Sequence, residues 1–202
     1  MLDGWARKRL DPAIDRLASA LAGAGVSANA ITFAAFGVGV AAAVAIAFGQ
    51  FWAAAALILV SRLGDGLDGA VAARTARTDL GGYLDIVLDF VFYGLVPLAF
   101  VVHDPAANGL AGAVLLAAFY ANGASFLAYA IVAAKRGLES EARGKKSIFF
   151  TTGLAEATET IAVFVAFCLL PQWFSPIAFA FAAITAYTTV SRIVLAWRLF
   201  GE

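Results

Sequence analysis

Cysteine and histidine occur once each in this chain, as Cys168 and His103. One cysteine excludes an internal disulfide framework. Lying within an apolar run, Cys168 reads as a packing residue. Charge is also scarce: charged residues make up 14% of the chain, against roughly 25% in soluble domains. Basic and acidic groups balance at 14 each, with a pI near 6.6, and that balance gives no sign of a nucleic-acid partner. The start, MLDGWARKRLDPAIDRLASAL, lacks an early apolar core, so no cleavable signal peptide is expected. Neither a sequence repeat nor a low-complexity linker divides the 202 residues, which suit one domain or one bundle.

Apolar side chains supply what charge does not. They form 62% of the chain, and mean hydropathy is +0.87, values that belong to an integral membrane protein. Six segments approach the roughly 20 residues that a bilayer crossing needs. They lie near 28–48, 52–74, 81–102, 109–134, 152–170 and 175–197, separated by turn or charge signals. The expected fold is therefore all-α, a six-transmembrane-helix bundle over residues 28–202. Residues 1–27 form a juxtamembrane lead-in, where Leu10, Ile14, Leu17 and Leu21 recur at the spacing of an amphipathic interfacial helix. Thirteen of the 14 basic residues fall before span one, between spans two and three, between four and five, or at the chain's end. That asymmetry puts both termini in the cytoplasm. The exception is Arg62, inside span two. Trp5, Trp52, Trp173 and Trp197 sit near span edges, as an interfacial aromatic belt requires.

Four carboxylates interrupt this apolar background. Asp65 and Asp68 are three residues apart and Asp85 and Asp89 four apart, so each pair shares a helix face. If spans two and three fold back on each other, 65 pairs with 89 and 68 with 85 about a common turn near Arg77. All four acids then converge a few helical turns inside the cytoplasmic surface. Ionisable groups at such depth are costly and mark function. Protonation or bound cations must relieve their repulsion. An all-oxygen ligand set, with no His or Cys near it, selects hard divalent ions such as Mg²⁺, Mn²⁺ or Ca²⁺. Gly64, Gly66, Gly69, Gly81 and Gly82 leave backbone open around the acids, for a phosphorylated ligand or for close helix packing. A purely structural use of the acids, as partners for Arg62, Arg74 and Arg77, fits less well, because three arginines share one helical segment.

Asp65-x-x-Asp68-Gly69, an Ala-Arg step, then Gly81-x-x-x-Asp85-x-x-x-Asp89 resembles the signature of the CDP-alcohol phosphotransferases, integral membrane enzymes of six spans. Ala72 matches the family's alanine, but Ala73 stands at the arginine position and Arg74 follows one residue late. Ser27-Ala28-Asn29-Ala30-Ile31-Thr32 is similar to the P-N-x-I-T stretch opening the family's first span, with Ala28 replacing proline.

The resemblance implies phospholipid biosynthesis: transfer of a phosphatidyl group from a CDP-alcohol such as CDP-diacylglycerol to an acceptor hydroxyl, with release of CMP. It further implies two divalent cations, Mg²⁺ or Mn²⁺, on Asp65, Asp68, Asp85 and Asp89, with Asp89 also the base that deprotonates the acceptor. Gly69, Ala72, Arg74, Asn29, Thr32 and Gly81 would surround the nucleotide. Arg143, Lys145 and Lys146, in the loop before span five, could bind an acceptor's phosphate, or could simply obey the positive-inside rule. Glu156 and Glu159 could hydrogen-bond acceptor hydroxyls or sit solvated at the interface. Asn122 and Ser125 read as interhelical contacts. Family members often form homodimers, so a second copy is a possible partner. The rival function is a divalent-cation transporter or channel using the same acids. It leaves unexplained why the outer halves of spans two and three carry so little polarity.

Overall fold

In the computed structural model, residues 3–137 and 157–201 are described. They form seven α-helices: α1 (Asp3–Gly23), α2 (Ala28–Ala47), α3 (Phe51–Arg74), α4 (Asp79–His103), α5 (Pro105–Lys135), α6 (Ala157–Leu169) and α7 (Phe174–Phe200). No strand occurs among the described residues.

Helix starts are set by side-chain caps that satisfy otherwise orphaned N–H groups. Ser27 accepts from Ala30 N–H at 3.2 Å, Thr78 from Gly81 N–H at 3.0 Å, and Asp104 from Ala107 N–H at 3.0 Å. Pro105 then occupies the first turn of α5, where its missing N–H costs nothing. Between α2 and α3 the chain reverses through Gly49, whose φ of +74° few other residues tolerate.

Four helical stretches among the described residues are long and apolar enough to cross a bilayer: 28–47, 79–103, 105–135 and 171–200. In α3, Arg62, Asp65 and Asp68 dilute an otherwise apolar helix of 24 residues. Only 13 residues of α6 are described, fewer than a crossing requires. Phe48, Trp52, Tyr120 and Trp197 are each more than three-quarters exposed. In water such a surface would aggregate, whereas lipid accommodates it. This is a multi-pass membrane protein.

Helices α2 to α7 close into a ring in which α2 lies against α3 and α4, α4 against α5, α5 against α7, α7 against α6, and α6 against α3. Phenylalanines fill the middle: Phe92, Phe100, Phe164, Phe167 and Phe174 are fully buried. Phe100 stacks on Phe174 at 4.7 Å between ring centroids, and Phe167 meets Phe174 at the same distance. Helix α1 stays outside the ring and packs along α3.

The sequence suggests a close hairpin of α3 and α4, but α2 lies against both and they scarcely pack on each other. Small residues permit this wedge. A Cβ added at Gly64 of α3 would stand 2.8 Å from Ala35 Cβ of α2, and one at Gly39 of α2 would stand 2.7 Å from the Phe92 ring of α4. Opposed carboxylates also favour a cleft over direct contact. Gly64→Ala should therefore cost about 1–3 kcal/mol, seen as a lower Tm in detergent; an unchanged Tm would remove the wedge argument.

Candidate active site

The acidic cluster is built from one face each of α3 and α4, with α2 behind. One carboxylate oxygen from each of Asp65, Asp68 and Asp85 lies within 4.8 Å of the others. Oxygens so spaced can surround a single divalent ion, whose ligand distances run from about 2.0 to 2.6 Å. Exposure grades across the cluster: Asp68 is buried, Asp65 half-buried and Asp85 exposed. The cleft thus has a closed end at Asp68 and an open end at Asp85.

At the closed end, Thr32 of α2 donates its hydroxyl to Asp68 Oδ2 at 2.5 Å. This charge-assisted bond fixes the innermost carboxylate. Ala28 O is also within 3.1 Å of the Thr32 hydroxyl, but one proton serves one acceptor at a time. Asn29 lies a turn earlier on α2, and its Oδ1 would be 3.1 Å from a Cβ at Gly81. Asn29 also lines a cavity of about 330 Å³ with Ser27, Thr75, Ala76 and Thr78. That size is at the small end for organic-ligand sites. At Gly69, by contrast, a Cβ would meet nothing within 4 Å among the described residues, which leave the backbone there open.

Asp89 turns to a different partner. Its Oδ1 accepts from Nη1 of Arg62, which also stands 3.5 Å from Asp65 Oδ1. Arg62 Nη2 reaches the Ser61 hydroxyl at 3.1 Å, and that hydroxyl donates to Ala35 O at 2.8 Å. The guanidinium carbon lies 4.1 Å from the centroid of the buried Phe92 ring. The purely structural pairing that sequence spacing disfavours is therefore present for Arg62, beside the three-carboxylate cluster. A signal for it existed: Arg62 is the one basic residue set in the middle of a span, three positions before Asp65 and so on the same helix face.

Arg74 is committed elsewhere. It binds Asp15 Oδ1 at 2.7 Å, the Ser19 hydroxyl at 3.1 Å and Ala70 O at 2.8 Å, tying α3 to α1. Ala72 lies on the same last turns of α3. Glu159 is half-buried in the first turn of α6. Arg143, Lys145, Lys146 and Glu156 lie outside the described residues. Asn122 and Ser125 hold an interhelical contact: Arg192 of α7 donates Nη1 to Asn122 Oδ1 at 2.9 Å and to Ser125 Oγ at 2.6 Å.

A match to the CDP-alcohol phosphatidyltransferase family runs over residues 25–198. The chain belongs to this family. Among curated proteins, inner membrane protein YnjF of Escherichia coli (strain K12) is 44% identical over 193 residues, covering 96% of this chain and 94% of the relative. Archaetidylinositol phosphate synthase of Methanothermobacter thermautotrophicus is 30% identical over 198 residues, covering 95% and 90%. The fold matches phosphatidylinositol phosphate synthase of Mycobacterium tuberculosis, in a structure with CDP-DAG bound, at a TM-score of 0.66 and 22% identity over 91% of this chain and 93% of the other. Membership in the CDP-alcohol phosphatidyltransferases makes this chain a phospholipid-synthesising transferase.

Proposed function

We propose that this phosphatidyltransferase moves the phosphatidyl group of CDP-diacylglycerol, or a closely similar CDP-alcohol, to a small polar alcohol and releases CMP. The observation that carries this reading is the meeting of Asp65, Asp68 and Asp85 oxygens within 4.8 Å in a chain of this family. A further M. tuberculosis structure holds manganese and citrate, which favours Mg²⁺ or Mn²⁺ for the all-oxygen set here. Those three carboxylates would hold the ion. When bound, it supplies positive charge that orients a pyrophosphate and offsets the charge developing on its oxygens. The second cation implied by the resemblance would have to compete with Arg62, which already engages Asp65 and Asp89.

The chain's own groups supply the rest. Asn29 and the cavity around it suit the cytidine, with Gly81 beside it and the open backbone at Gly69 admitting the nucleotide to the cluster. Asp89 takes the proton of the acceptor hydroxyl. The acceptor oxygen bonds to the lipid-bearing phosphorus as the bond from that phosphorus to CMP breaks. Arg143, Lys145, Lys146, Glu156 and Glu159 are the residues assigned to the acceptor. The arrangement proposed is six spans with α1 in the interface, both termini and the cleft facing the cytoplasm, and a homodimer as the assembly. A head group entering from the cytoplasm then meets a lipid whose tails remain in the bilayer.

Purified protein given CDP-diacylglycerol, Mg²⁺ and a panel of alcohols should form one new phospholipid, identified by mass, together with CMP. Chelation should stop both. Ion flux in liposomes without CMP formation would favour the transporter reading instead. Gly69→Val supplies a finer check, because a Cβ at this position meets nothing within 4 Å among the described residues. Its Tm should be unchanged, while KM for the CDP-lipid should rise about tenfold or more, the effect of roughly 1.4 kcal/mol of lost binding. An unchanged KM would take Gly69 out of the site.

A further inference from the structure

Arg62 is embedded in the acidic cleft more deeply than charge balance at a surface requires. Its side chain is 8% exposed, against 28% for Asp89 and 29% for Asp65. One nitrogen, Nη1, pairs with Asp89 Oδ1 and also lies 3.5 Å from Asp65 Oδ1. Nη2 is spent on Ser61, the ring of Phe92 lies against the guanidinium, and Nε is buried with no hydrogen-bond partner among the described residues. The side chain is thus held from three sides, with its charged end at the junction of two carboxylates.

That junction is where a cation bridging Asp65 and Asp89 would sit. Such an ion must come within about 2.0–2.6 Å of each oxygen, and Nη1, paired with Asp89 Oδ1 and 3.5 Å from Asp65 Oδ1, competes with it for both. Shifting the guanidinium aside would strand a buried charge away from its carboxylates, which is costly in a low-dielectric interior. Asp68 and Asp85 form no ion pair with Arg62 among the described contacts, so the position surrounded by Asp65, Asp68 and Asp85 stays open to a metal.

Resting on the reading of this cluster as a divalent-metal site, we infer that Arg62 is an internal counter-cation that excludes a second metal. In the substrate-free protein the cleft takes one divalent ion, on Asp65, Asp68 and Asp85. The Asp65–Asp89 edge carries the guanidinium in place of another. Arg62 is accordingly a positioning residue: it fixes Asp89 and sets metal capacity without touching the substrate.

Bound Mn²⁺ per chain, measured on substrate-free full-length protein by equilibrium dialysis with elemental analysis and by electron paramagnetic resonance, tests this. The wild type should bind one ion with the spectrum of an isolated Mn²⁺. Arg62→Gln should bind two, with a spin-coupled spectrum, and adding Asp89→Asn to it should return the count to one. If Arg62→Gln does not fold, Asp89→Asn alone decides: the count should stay at one. A spin-coupled pair in the wild type would overturn the inference. So would a single ion in folded Arg62→Gln, or a fall from two to one in Asp89→Asn. Two ions in a wild type that still releases CMP would leave the transferase reading intact while removing the role of Arg62. No bound Mn²⁺ in any variant would sink the metal reading itself.

Discussion

Asp68→Asn should reduce CMP release from CDP-diacylglycerol by at least about 10²–10³-fold, the range seen when a group that stabilises transition-state charge is removed. Asp68 is 6% exposed and anchors the closed end of the cleft, where the Thr32 hydroxyl fixes its orientation. Asparagine keeps the shape and still accepts from Thr32, so the bundle should fold with a near-normal Tm. What it loses is an anionic oxygen within 4.8 Å of those of Asp65 and Asp85. Mn²⁺ affinity should fall along with turnover. Full activity with normal Mn²⁺ dependence would show that Asp68 is not a ligand.

Asp89→Asn should separate binding from turnover. The three-carboxylate cluster is untouched, so Mn²⁺ binding and KM for the CDP-lipid should hold, while kcat falls about 10²–10⁴-fold for want of a base. Stability should fall as well, because the buried guanidinium of Arg62 loses its hydrogen-bonded carboxylate and keeps only Asp65 at 3.5 Å. Combining it with Arg62→Gln removes that charge and should restore much of the Tm while leaving kcat low. Near-normal CMP release by Asp89→Asn would refute its role as base.

The meeting of Asp65, Asp68 and Asp85 was legible because helical period and chain reversal are properties of sequence. Asp65, Asp68, Asp85 and Asp89 are placed symmetrically about residue 77 whatever the neighbouring helices do. The wedge of α2 between α3 and α4 was not legible, since it depends on which small residues meet across helices. Gly39 and Gly64 acquire their meaning only beside Phe92 and Ala35. The displaced motif arginine is similar. Its sequence position shows the one-residue shift, but that Arg74 reaches Asp15 and Ser19, four apart on α1, follows from how α1 packs on α3. Arg192 is one of the basic residues near the chain's end in sequence, whereas it turns inward to Asn122 and Ser125. Counting loop charges says nothing about the rotation of a helix about its axis.

Electron–nuclear double resonance on the Mn²⁺-loaded protein, before and after addition of CDP-diacylglycerol, reports whether the carboxylate-held ion touches the substrate's phosphates. The account predicts ³¹P hyperfine coupling that appears with the CDP-lipid and is lost in Asp68→Asn. Mn²⁺ bound with no phosphorus coupling, while CMP is still released at the wild-type rate, would contradict it.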